Sequence, residues 1–332
     1  MRRFGLIALV IALAVSACSI GNDTGTLTVY SGRSEELIGP LIQQFEEESG
    51  IDVAVRYGGS TEIAATLLEE GGRSPADVVF TQDPASIGVV ALEGLLDRLP
   101  DGLLSLVPER FSDTDGRWVG VSGRARTVVY DTTLLTPADL PATEDGLIGP
   151  EWQGQVGIAP ANGSFLAFVA AKILLDGEQA TLAWLEGMAA NGSPAYANNA
   201  SIVSAVTDGQ LESGLVNHYY LLRRLREQPQ TSAANYFFPE PTAGSLVMPA
   251  GAGILSSTDN RDAAEAFVAF LLSEGSQQYF ASETFEYPLV PGVPANEMLP
   301  PIGEIATPDI DLSELATVLD RATDLVSRAG LL

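Results

Sequence analysis

Short apolar runs alternate with amphipathic segments along most of the chain. "LTVY", 27–30, has the unbroken apolar character of a buried strand, and Ser31–Gly32 follows as a turn. Ser34 is then a candidate helix N-cap, with Glu35 and Glu36 in the first turn where the helix dipole favours acids. Pro40 lacks an N–H and fits poorly in a helix interior, so the main helix is expected to restart there. Gly50 is a candidate left-handed stop. "IDVAVRYGG" reads as the next strand, "TEIAATLLEEGG" as the next helix and "ADVVFTQD" as the third strand. Strand alternating with helix predicts α/β architecture with a largely parallel sheet. In such sheets ligands gather beyond the carboxyl ends of the strands. The turns "YSGRS", "YGGST" and "FTQDP" all fall at that end.

The pattern continues after a change of texture at "RWVGVSGRARTVVYDTTLL", where Arg124–Tyr130 reads as a long strand able to cross between two lobes. "GQVGIAPANGSFLAFVAAKIL", "SPAYANNASIVSAVTDG" and "ESGLVNHYYLLRRLRE" make a second α/β set. "SLVMPAGAGILSS" returns as a strand and "NRDAAEAFVAFLLSEGSQQYFA" as one amphipathic helix. "DLSELATVLDRATDLVSRAG" closes as a helix, with Asp311 and Glu314 as a capping-box-like start and Gly330 as its stop. The expected domains are a leader at 1–17, a tether at 18–26, lobe 1 at 27–123 and 254–300, and lobe 2 at 124–253 and 301–332, with a cleft between the lobes.

Charge and cysteine narrow the function classes. The formal net charge is −26, and loss of Arg2 and Arg3 with a cleaved leader takes it to about −28. Such a chain repels nucleic acid and anionic lipid headgroups. Most of this acid is expected to be a solvated skin. "MRRFGLIALVIALAVSAC" has two arginines, an apolar run too short for a comfortable membrane span, and small residues before Cys18. It resembles a bacterial lipoprotein signal peptide, cleaved before Cys18, with lipid anchoring an extracytoplasmic protein to the membrane. A plain secretory leader with an incidental cysteine is the simpler alternative. A single cysteine excludes a disulfide within the monomer and a cysteine-rich zinc site.

"LVNHYYLLRRL", 215–225, sets Tyr219 and Tyr220 side by side behind the only histidine, His218. Neighbouring side chains diverge on a strand or a helix, and a random tyrosine pair is most often packing. Together with "VYSGRSEELIGPLIQQFEEESGI", "SPADVVFTQDPA", "SGRARTVVYD", "NGSFLAFVAA", "YANNASIVSAV", "GAGIL" and "EYPLVPGV", all in order, this segment resembles the ferric-ion-binding proteins of bacterial ABC transporters over about residues 27–330. Their fold is the type II periplasmic binding protein: two α/β lobes with mixed sheets, crossing hinge strands and an interlobe cleft.

The resemblance implies that Tyr219 and Tyr220 bind Fe³⁺ as phenolates. A hard trivalent cation prefers anionic oxygen donors and can deprotonate a phenol of pKa near 10. For both rings to reach one point, the pair should sit at a loop or helix start. Some relatives add a histidine where this chain has Ser34, and others a glutamate where it has Gln82. A synergistic anion, carbonate or phosphate, is then expected to complete the sphere. The matching anion pocket is Asn162, Gly163 and Ser164, with Asn199 and Asn217. "NGS" at a helix start also suits an anion physically, because free N–H groups and the helix dipole face it. Arg124 and Arg126 share one strand face. Arg124 is the favoured anion clamp, and a lobe–lobe salt bridge is its competing role. Ser31, Arg33, Tyr57 and Ser60 are cleft-facing candidates. His218 is expected beside the metal or at the surface rather than on it, and Tyr196 and Tyr236 in the core.

The implied function is a monomeric solute-binding protein that hands iron to a membrane permease driven by an ATPase subunit, with no catalysis of its own. The same fold could instead take a small anion, such as a phosphonate or sugar phosphate, without iron. A metal-dependent hydrolase and a purely structural surface lipoprotein are the other classes. One histidine, no GxSxG elbow and no HExxH helix leave hydrolysis without machinery.

Overall fold

The computed structural model of the chain describes residues 25–332, so the leader and Cys18 lie outside the described residues. The chain opens with β1 (Leu27–Ser31), α1 (Glu35–Ser49), β2 (Val53–Tyr57), α2 (Ser60–Glu70), β3 (Val78–Thr81) and α3 (Pro84–Leu92). β1 pairs in parallel with both β2 and β3. A short α4 (Asp101–Leu104) precedes β4 (Val119–Asp131), which is buried along its whole length. Next come β5 (Val156–Gly157), α5 (Gly163–Asp176), α6 (Glu178–Ala190), α7 (Asn199–Thr207), β6 (Ser213–Asn217), α8 (Tyr219–Glu227) and β7 (Ala233–Tyr236). β8 (Val247–Ile254), α9 (Arg261–Leu271), α10 (Glu274–Tyr279), β9 (Tyr287–Pro288) and α11 (Leu319–Arg328) complete it.

The strand order is β2-β1-β3-β8-β4-β6-β5, with β7 and β9 also on β4. β8 runs antiparallel to β3 and to β4, so the first sheet is mixed rather than largely parallel. The reason is topological: β8 returns from the far half of the chain instead of through a βαβ crossover. β4 belongs to both halves. Its residues 119–125 pair with β8, and 126–131 pair with β6 and β7. A large apolar core spans both halves, and a smaller one lies under α7 and α8 around Val129, Ile202, Val206 and Leu221.

Several local expectations change. α1 runs unbroken through Pro40, which is exposed. The carbonyl four residues earlier, at Glu36, is also on an exposed residue, so the lost helix bond is offset by water. Ser34 stands at the N-cap, but its side chain makes no cap bond. The helix expected over 260–281 breaks at Leu272–Ser273 into α9 and α10 and ends in a π turn over Phe280–Thr284. The closing helix starts as a 3₁₀ segment, Leu312–Val318, with Asp311 capping the Ser313 N–H. This 3₁₀ segment packs on α3 while α11 packs on α5 and α6.

Candidate functional site

β6 is buried at every residue and ends at Asn217, and α8 begins two residues later at Tyr219. His218 already has helical dihedrals, and its N–H donates to the Ala125 carbonyl on β4 at 3.0 Å. Strand therefore becomes helix with no loop between them. At this junction the rings of Tyr219 and Tyr220 stack, 4.2 Å between centroids and 28° between planes. Tyr219 is fully buried and Tyr220 half-buried. The Tyr219 hydroxyl has no protein partner, which is rare for a buried donor. Burial, reinforced by Tyr220, pushes its acidity well away from ionisation at neutral pH, while Arg33 and Arg124 pull the other way.

Three buried arginines surround the pair. Arg33 binds Glu286 with two parallel bonds, Nη1–Oε1 2.8 Å and Nη2–Oε2 2.6 Å, both side chains being fully buried. Burial alone would raise the Glu286 carboxyl; Arg33, Arg124 and the Thr284 hydroxyl outweigh it and hold it ionised. Arg124 Nε lies 3.8 Å from the same carboxylate, and its Nη2 donates to the Pro249 carbonyl. Arg126 lies over the rings of Phe165 and Phe168 on α5, 5.8 and 5.3 Å from their centroids. Burial without a carboxylate partner drops its guanidinium to about 9. Nε and Nη1 of both Arg124 and Arg126, and both amide atoms of Asn217, also lack protein partners. Glu286 thus offsets Arg33, and Arg124 has only Glu286 at 3.8 Å and the more distant Asp83 as counter-charges. The remaining positive charge suits phenolates or an exogenous anion and opposes a bare cation.

His218 is not poised to bind metal. Its Nδ1 accepts the Ala125 N–H at 3.0 Å, and its Nε2–H donates to the Phe285 carbonyl at 2.7 Å. Both nitrogens are committed. The ring is fully buried instead of at the surface, and burial lowers its pKa to about 4.

The anion-pocket residues assemble around the start of α5. Asn162 caps the helix, accepting from the Ser164 N–H at 3.1 Å and the Ser164 hydroxyl at 2.7 Å. Asn199 donates to Asn162 Oδ1 and Ser164 Oγ and accepts the Asn217 N–H, linking this turn to the strand that carries the tyrosines. A cavity of about 240 Å³ lies in front of the turn, lined from one side by Asn162, Gly163 and Ser164 and from the other by Ser34, Ser60 and Gln82. Tyr219, Tyr220, Arg124 and Tyr57 do not line it. Ser31 does not either, because its hydroxyl closes on the backbone of Arg33, two residues on. A wider concavity of about 640 Å³, between residues 98–116 and 309–312, contains none of the candidate residues. Among the described residues no group of three or more His, Cys, Asp or Glu could hold a metal.

Residues 73–308 match the family described as bacterial extracellular solute-binding protein. The Fe(3+)-binding periplasmic protein of Serratia marcescens is 32% identical over 330 residues, 98% of this chain and 96% of that protein. The major ferric iron-binding protein of Neisseria meningitidis serogroup B is 32% identical over 99% of this chain and 98% of its own. The chain belongs to the bacterial extracellular solute-binding proteins. Among solved structures, iron-bound HitA from Pseudomonas aeruginosa superposes with a TM-score of 0.88 at 33% identity, covering 92% of this chain and 99% of that one. A Trichodesmium relative in complex with iron and citrate gives 0.80 at 26%, over 93% and 100%. The fold is therefore that of a type II periplasmic binding protein. Solute-binding proteins of this family are not enzymes, so the hydrolase alternative falls. No helix among the described residues is long and apolar enough to cross a membrane.

Two buried residues of this solute-binding protein escaped the sequence reading. Glu286 sits in "EYPLVPGV", and nothing local marks its partner 253 residues away. Asp83 sits in "FTQDPA", where an aspartate before proline signals a helix cap and little else.

Proposed function

We propose that this chain binds ferric ion through the phenolates of Tyr219 and Tyr220 and delivers it to an ABC permease. The observation that carries the reading is the stacked tyrosine pair at the start of α8 with its buried, unpartnered Tyr219 hydroxyl. The names of the Serratia and Neisseria relatives and the iron-bound solved structures support the same ligand. Two phenolates leave Fe³⁺ with one residual positive charge and open positions. With no imidazole at Ser34 and a neutral amide at Gln82, an exogenous oxygen-donor anion completes the sphere. The groups that would hold it are Arg124 and Asn217 beside Tyr219, with the Asn162–Ser164 turn bordering the same cleft. The citrate found with iron in the Trichodesmium relative favours such a companion. Arg33 acts through Glu286, which it holds ionised and in place.

Lobe 1 (27–123, 254–300) and lobe 2 (124–253, 301–332) close on the ligand by bending at the crossing strands β4 and β8. Ligand favours the closed state because only there do both lobes touch it. The closed form docks the permease, and lipid on Cys18 keeps the protein at the membrane. Each phenol loses its proton on loading, so affinity rises with pH and falls in acid.

Competition with a citrate-type chelator tests the site. Tyr219→Phe and Tyr220→Phe should each lose more than about 100-fold in ferric affinity, beyond the range typical of outer partners. His218→Asn should change it far less. Unchanged affinity in both tyrosine variants refutes the reading.

A further inference from the structure

Asp83 is a fully buried carboxylate on lobe 1 that faces the start of α5 on lobe 2. Its Oδ1 accepts the Ser86 N–H at 2.8 Å and its Oδ2 the Ser86 hydroxyl at 3.1 Å, which caps α3. Ser60, first residue of α2, lies beside the same carboxylate, its hydroxyl accepting the Gln82 N–H at 2.9 Å. Across the cleft, a Cβ on Gly163 would sit 3.3 Å from Asp83 Oδ2. Three helix N-termini, those of α2, α3 and α5, therefore gather around one carboxylate; burial raises its pKa, while the Ser86 N–H and Arg124 act to keep it ionised. Helix N-termini attract anions, and here the protein supplies one of its own.

We propose that Asp83 is a specificity-determining residue: in the closed protein its carboxylate takes the place of a small oxyanion at the N-terminus of α5 and keeps inorganic phosphate out of the Asn162–Ser164 turn. The inference deepens the reading of the cleft given above and rests on it. The 240 Å³ cavity has room for such an ion, so the exclusion is by charge and not by volume. A second anion there would lie against a fixed like charge in a poorly solvated place, where repulsion is strong. The companion donor for iron is then left to the Arg124 and Asn217 side of the site, where buried N–H groups stand unpartnered beside Tyr219. Gly163 belongs to the same device, because any side chain at that position would press on the Asp83 carboxylate.

Asp83→Asn is the clean variant. It keeps the volume and the Oδ1 cap, since asparagine caps helices as well as aspartate does, while it removes the charge and turns the second oxygen into an amide donor. Asp83→Ser, a second good cap, covers the case in which the asparagine variant folds poorly. Inorganic phosphate is titrated calorimetrically into the full iron-free chain, and again after loading with ferric nitrilotriacetate. The proposal expects Asp83→Asn to bind phosphate at least roughly tenfold more tightly than the wild type, about 1.4 kcal/mol. Adding Ser164→Ala should abolish the gain, which locates the phosphate at the α5 turn. Equal phosphate affinity in wild type and Asp83→Asn, or a gain that survives Ser164→Ala, overturns the proposal. If neither protein takes iron while Asp83→Asn alone gains phosphate, the iron reading fails and the role of Asp83 stands.

Discussion

The ring of Tyr219 is packed against His218 on one side and Tyr220 on the other, and its hydroxyl reaches no protein partner. A phenol so placed is a poor acid until a cation arrives, because ionising it alone would strand a charge in the interior. A trivalent ion changes that balance, and the proton then leaves with binding. His218 supplies the rigid neighbour. Its two committed nitrogens tie the start of α8 to β4 and to Phe285, a residue held at φ 59° where non-glycine residues are uncommon. Folding keeps this imidazole neutral, so its pKa is about 4 in the native state against 6.5 when exposed. Between those values the unfolded chain binds the extra proton, and the native state therefore loses stability as pH falls from 6.5 towards 4. Fully developed, the loss is about 3 kcal/mol. His218→Asn keeps an acceptor for the Ala125 N–H and has nothing to titrate. Urea unfolding of the iron-free protein should show a shallower acid slope for this variant in that window. Parallel profiles would mean that the buried ring is not the group responsible.

At the scale of elements, α5 links the candidate site to a buried charge network at its other end. Lys172, the only lysine, donates to Glu144 at 3.2 Å, Asp145 at 2.6 Å and Asp176 at 2.7 Å, while Glu144 also accepts from the Thr242 hydroxyl and the Gly244 N–H. Removing the cation strands Glu144, which is 1% exposed. Lys172→Met should cost about 3 kcal/mol in unfolding free energy, the lower end for a broken buried pair because two other donors remain. Ferric affinity should change little, since the lysine is remote from the turn at Asn162. A fall in affinity comparable to the tyrosine variants would show that the network sets the helix start. This network was not legible in the sequence: the spacing of 144, 145, 172 and 176 becomes contact only after the chain has folded back. The strands β1, β2, β3, β6 and β8 were legible, because each is a short apolar run between turn residues. The continuity of α1 through Pro40 and the breaks in the last two helices were not. There the exposure of one carbonyl and the tertiary packing of 312–318 on α3 decided, and local propensity did not. The tyrosine pair was legible only through its order among other segments. Asp83 and Glu286 were hidden because a buried carboxylate is defined by what surrounds it.

At the scale of the whole molecule, β4 passes from one half of the sheet to the other, and β8 runs beside its first half. Bending within β4, between the part paired with β8 and the part paired with β6 and β7, would leave the register on either side undisturbed. Asp83, Ser60 and Gln82 face Asn162, Gly163 and Ser164 across the cavity, so a ligand in that gap would touch residues from both sides of it. Small-angle scattering should show a smaller radius of gyration for the ferric protein than for the iron-free protein, and an unchanged radius would mean that loading does not depend on closure. The paired phenolates themselves are tested most directly by the visible spectrum and metal content of the purified protein after addition of ferric citrate. The account predicts one iron per chain and a phenolate-to-iron charge-transfer band that colours the protein and is lost on Tyr219→Phe. A protein that stays colourless and iron-free, or keeps the band without Tyr219, would contradict it.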